Sequence, residues 1–174
     1  MKTAFWMVLV AALGLASTAR ADQAANPEAF FGRYQGTGIT HDPNAILFGF
    51  DNRDLDVEIG PAEGGFFVAW TTVMQTRGDK GAKRKSTRIT FEPSGRPGIY
   101  RERAATPTAD GFSWASIADR TLTVRLVTIL DDGSYEVQSY ERSLNEDGLF
   151  LFFRSDRDGA VIKVVTARLR KQAQ

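Results

Sequence analysis

The sequence predicts an all-β protein. It reads as an antiparallel up-and-down meander closed into a barrel of about nine or ten strands, with a short N-terminal helical turn as lid. Three observations carry this. Short runs of alternating or mixed polarity recur with turn residues every 8–12 positions. The last three connections are Asp131-Asp132-Gly133, Asn145-Glu146-Asp147-Gly148 and Asp156-Arg157-Asp158-Gly159, which suit tight hairpins. That many strands in one open sheet would leave two long edges exposed to aggregation, and closure removes them.

The first element is the helical turn. Asn26-Pro27-Glu28 supplies an N-cap, a proline at the first helical position and an early acid, followed by Ala29, Phe30 and Phe31. Strands are then expected over 34–40, thinned by Gly36 and Gly38, and over 54–59, where Leu55, Val57 and Ile59 alternate with Asp54, Asp56 and Glu58. Gly64-Gly65 leads into 66–75, apolar on both faces. Strands 85–92 and 99–103 flank the turn Pro93-Ser94-Gly95-Arg96-Pro97-Gly98. Five more follow over 112–118, 121–130, 134–143, 149–155 and 160–170. The run Leu149-Phe150-Leu151-Phe152-Phe153 calls for cover on both faces, for which the Phe30-Phe31 turn is available.

Ahead of this domain, residues 1–21 read as a signal peptide. Lys2 is the positive start, residues 4–16 form the apolar stretch, and Ala19-Arg20-Ala21 is an A-x-A cleavage pattern. The apolar stretch is short of the roughly 20 residues that span a bilayer. The expectation is a periplasmic or secreted protein with one domain over 22–174. Loss of Lys2 and Arg20 takes Lys plus Arg from 22 to 20 against 21 Asp plus Glu, a formal charge of −1. Such a chain has no overall positive field to hold nucleic acid. The absence of cysteine excludes disulfides, thiolate metal sites, a thiol nucleophile and a lipid acceptor at the cleavage site. An outer-membrane barrel is set aside, because Asp54/Asp56/Glu58, 83–88 and Arg101/Arg103 break any continuous apolar outer band.

Phe31-Gly32-Arg33-Tyr34-Gln35-Gly36-Thr37-Gly38 resembles the opening of the calycin barrels: lipocalins, fatty-acid-binding proteins and nitrobindin-like proteins. The resemblance implies that Tyr34 takes the place of a first-strand tryptophan at the closed end of the barrel. It also implies that a late cation, Arg168 or Arg170, packs over the ring. The chain departs from the family in its tyrosine, its lack of disulfides, the absence of a terminal Arg-x-Tyr pair and the absence of a late histidine. The family therefore suggests a shape and leaves the cargo open.

No constellation of catalytic residues stands out. His41, the single histidine, lies in a His41-Asp42-Pro43-Asn44 loop without partner ligands. There is no Gly-x-Ser-x-Gly elbow, no Ser-x-x-Lys pair and no phosphate loop before a helix. Asp156-x-Asp158-Gly159 lacks the closing glutamate of a calcium loop and reads as a hairpin turn. Asp54/Asp56/Glu58 lie opposite an apolar face and read as a solvated stripe. The basic segment 77–85 reads as a hairpin tip, with lipid headgroups or an acidic partner as its alternative.

Arg125 interrupts the apolar strand 122–130. If it faced the lumen it would need a partner, either a ligand acid or Glu136 or Glu141. Trp70, Tyr100, Trp114 and Tyr140 complete a candidate ligand-binding set with Arg125, the alternative being plain core. The expectation is a binding protein holding a small apolar or amphipathic, lipid-like ligand, without catalysis, cofactor or metal and without a transmembrane anchor after cleavage. A solidly packed barrel serving as an envelope structural or interaction module is the alternative. An isomerase- or cyclase-type barrel enzyme is not excluded.

Overall fold

A computed structural model describes residues 26–41, 52–75, 82–103 and 111–173. The expected leader and the tip of the basic segment lie outside them. The fold is a closed ten-strand antiparallel barrel. Its strands are β1 (Gly32–His41), β2 (Asn52–Ala62), β3 (Gly65–Gln75), β4 (Ala82–Pro93), β5 (Ile99–Glu102), β6 (Phe112–Ala118), β7 (Thr121–Ile129), β8 (Tyr135–Leu144), β9 (Gly148–Arg157) and β10 (Ala160–Lys171). Each pairs with its sequence neighbours, and β10 returns to pair with β1 from Tyr34↔Lys171 to His41↔Val164. All ten strands coincide with the segments read from alternation, to within a few residues at their ends.

The hairpin chemistry is as the turn residues require. At the β9–β10 turn Asp158 and Gly159 both take positive φ, 49° and 81°. Two successive left-handed residues make a turn whose twist matches the strands it joins. Before β8, the Asp132 carboxylate accepts from the Ser134 backbone N–H at 3.0 Å and from Arg157 at 3.0 Å.

Side-chain parity divides the wall into two faces. Leu55, Val57 and Ile59 of β2 point inward and are buried, while Asp56 and Glu58 face out, Glu58 lying 3.7 Å from Arg33. On β3 the inward set is Phe66, Val68 and Trp70. Outward Phe67 is covered by the Arg88 guanidinium, 3.5 Å above its ring, so this strand buries apolar groups on both faces. On β9 the inward Leu149, Leu151 and Phe153 are buried. Phe150 is exposed and Phe152 half-buried on the outside.

The two ends of the barrel differ. At one, four short turns and a 3-10 turn (Pro27–Phe30) close the interior. Asn26 caps that turn, its side chain accepting from the Glu28 N–H at 3.0 Å. Phe30 is buried against the core, and the Tyr34 hydroxyl donates to its carbonyl at 2.8 Å. The turn lies beside β2 at this end and is a lid for the barrel, not outer cover for the Phe150/Phe152 face. Tyr34 stands at the closed end as the calycin resemblance implies. The cation nearest its ring is Lys171, at 5.8 Å, while Arg168 and Arg170 are exposed on the outer face. The Cα pairing of Tyr34 with Lys171 places those two on one face and its neighbours out of phase.

Candidate functional site

The half of the interior nearest the lid is solid. Phe66 meets Phe91 at 5.5 Å and Tyr100 at 5.0 Å, with Ile59, Leu122, Leu149 and Leu169 around them. The other half holds a cavity of about 460 Å³, within the range of small-molecule sites. A cavity of this size favours a ligand-holding interior over the solidly packed one that was the sequence's alternative. Leu55, Val57, Leu126, Leu151 and Val165 form apolar wall. An aromatic column crosses it, Trp70 on Tyr140 at 4.8 Å and Tyr140 on Phe153 at 4.6 Å. A larger depression of about 550 Å³ lies across β1–β4, its lining including the pairs Arg33 with Glu58 and Thr71 with Ser86.

β8 supplies the polar floor and one side of the cavity. Its inward residues are Glu136, Gln138, Tyr140 and Arg142. Arg142 sits in the row of Leu122 and Leu151, where the packed half gives way to the cavity. Among the described residues it is the largest fully buried side chain, and its Nε and Nη1 have no hydrogen-bond partner there. The guanidinium lies 5.3 Å from the ring centres of both Trp70 and Tyr140, a weak substitute for lost water. Burial drives its pKa down to about 10, with the Tyr140 phenol acting in the opposite sense. Burial likewise pushes the Tyr140 phenol up to about 12, the nearby Arg142 charge pulling against it.

A hydrogen-bonded chain runs from here toward the mouth. The Tyr140 hydroxyl donates to Gln138 Oε1 at 2.9 Å, and Gln138 Nε2 donates to Glu136 Oε1 at 2.8 Å. Ser155 Oγ donates to the same carboxylate oxygen at 2.5 Å. Burial would raise the Glu136 pKa, but these bonds and the charges of Lys163 and Lys85 outweigh it and hold the carboxyl below its usual range. Lys163 faces the cavity in phase with the inward Val165, Ala167 and Leu169, and β10 slips register between Val161 and Lys163. The extra residue of this bulge lets Ile162 and Lys163 both line the wall.

Of the five residues expected to bind ligand, the structure brings two together: Trp70 and Tyr140 line the cavity side by side. Tyr100 lies in the solid half against Phe66, with no share in the cavity lining. Trp114 and Arg125 are corrected to the outer wall. They are Cα partners on β6 and β7, and Trp114 stacks on Phe112 at 5.5 Å. Leu122 and Val124 belong to the core, and Leu126 and Thr128 line the cavity, so Arg125 between them points out. The fully buried cation inside the barrel is Arg142. The period-two phase of β8 is the signal for it, since an inward Tyr140 carries Arg142 inward with it. Among the described residues no group of three or more His, Asp or Glu side chains could hold a metal ion.

The fold and cavity together define a closed up-and-down β-barrel with an internal ligand-sized site, the architecture that the calycin resemblance implied. No family model and no curated protein matches the chain. Among solved structures it is similar to the S-type phycobiliprotein lyase CPES from Guillardia theta, with 10% identity over 84% of this chain and 90% of that one and a TM-score of 0.41. The similar structure bears the name of a lyase, against the expectation that this chain is no enzyme, which is withdrawn; the chemistry so named is that protein's own.

Proposed function

We propose that this protein is an exported binding protein that holds a small amphipathic, lipid-like acid in its barrel. The acid group sits on Arg142 and the apolar body lies against Trp70, Tyr140 and Phe153. The observation that carries this is the Arg142 guanidinium, fully buried at the floor of a 460 Å³ cavity with Nε and Nη1 unpartnered. An unpaired buried cation is costly, and a ligand carboxylate offers both the countercharge and two parallel acceptors for the guanidinium fork. The signal-like segment over 1–21 supports export of the mature domain to the periplasm or outside the cell.

Thermal unfolding across a panel of medium-chain carboxylic acids and the matching alcohols tests the binding. Acids are expected to raise Tm in a concentration-dependent way and alcohols to do so far less. A denaturing extract of purified protein without an acid, together with an unmoved Tm across the panel, overturns the reading. Mass spectrometry of the protein from cell fractions tests the export. The expected mature N-terminus is Asp22 in the periplasmic or extracellular fraction, and an intact Met1 form confined to the cytoplasm refutes it.

A further inference from the structure

We infer that the cavity is built for a two-headed ligand: an elongated molecule with an acidic group at each end, one held by Arg142 at the floor and the other by Lys85 and Lys163 at the mouth. The inference rests on the binding reading above and specifies the class of ligand. Its first support is charge. Among the described residues, the basic and acidic side chains lining the cavity are Lys85, Glu136, Arg142 and Lys163, three cations against one carboxylate. A monoacid leaves one positive charge unmatched, whereas a diacid neutralises the set.

The second support is placement. Glu136 Oε1 is already occupied by Ser155 and Gln138, and neither lysine makes an ion pair among the described residues. Both lysines are near enough for their charges to act on Glu136, so all three form one mouth-side group of net positive charge. Lys163 pairs with Ser155, which pairs with Gln138, four residues along β8 from Arg142. At about 3.4 Å per residue this sets the two cationic ends roughly 14 Å apart along the wall. The wall between them is Leu55, Trp70, Tyr140, Phe153 and Val165, which solvates a hydrocarbon spacer and offers no third charge. An α,ω-dicarboxylic acid has this chemistry.

Isothermal titration of the full mature protein with dodecanedioic acid and with the ω-hydroxy acid of equal length tests it. The pair differs only in the second acid. The diacid is expected to bind about tenfold more tightly, equivalent to about 1.4 kcal/mol. The double variant Lys85→Gln/Lys163→Gln should remove that advantage. Equal affinity of the two ligands for the native protein, or a diacid advantage that survives in the double variant, overturns the two-headed ligand while the Arg142 reading stands. If neither ligand binds, both readings fall. Because both lysines lie toward the mouth and lack ion pairs, the double variant keeps the fold, which an unchanged Tm verifies.

Discussion

Replacement of Arg142 by methionine should make the empty barrel more stable and abolish acid binding. Burial to zero exposure with a pKa near 10 corresponds to about 3 kcal/mol of cost to the charged form at neutral pH. The two cation–π contacts at 5.3 Å give back about 1 kcal/mol in total at that distance. A methionine of comparable length keeps contact with Trp70 and Leu151 and needs no partner. The net expectation is a gain of about 2 kcal/mol, or roughly 4–8 °C in Tm. Urea denaturation of ligand-free protein measures it, with a higher midpoint and an unchanged slope. A variant destabilised by more than about 1 kcal/mol would refute the reasoning, because it would mean that the guanidinium is satisfied in the empty protein. The sign with pH follows from linkage. The folded-state pKa lies below the unfolded one, so the penalty is fully present below pH 10 and is relieved as pH rises above it.

Tyr140 titrates in the opposite sense. Its folded pKa of about 12 lies above the unfolded value, so it withdraws stability as pH rises from about 10 toward 12. Ultraviolet difference titration of native protein against Tyr140→Phe should show the missing phenolate step near pH 12, and a step near 10 would contradict its burial. Tyr34→Phe removes the 2.8 Å bond to the Phe30 carbonyl and orphans that oxygen at the closed end; a loss of about 1–2 kcal/mol in urea is expected, and a change below about 0.3 is the refuting result. Gly38→Ala sets a Cβ 2.9 Å from Val165 and 3.0 Å from Leu55 and should cost about 1–3 kcal/mol by overpacking, read as a lower Tm.

The wall of this barrel is legible in the sequence because period-two alternation and Asp-Gly turns act locally. Asp158-Gly159 and the alternation 54–59 fix a turn and a facing without reference to the rest of the chain. The interior is less so. β8 carries polar residues on both faces, Glu136/Gln138/Tyr140/Arg142 inward and Ser139/Glu141/Ser143 outward, so hydrophobicity does not say which set is buried. Arg125 drew notice because its sequence neighbours are apolar, yet those same neighbours fix it outside. Strand phase, not local composition, decides the facing of a lone cation. Ile162 is hidden for another reason: a bulge resets the phase of β10 ahead of Lys163, and bulge positions depend on the partner strand.

The pairing of β1 with β10 joins residues about 130 positions apart, which puts the barrel among high-contact-order topologies. On the ribosome, nine strands can hairpin in succession, but β1 and β9 stay as two bare edges until the segment ending at Lys171 has emerged. The nascent protein therefore has no closed state to fall into early, and it completes itself in a single late step. A message cut short before β10 yields a sticky, open-edged ribbon, whereas changes in the connections at the mouth leave the seam untouched.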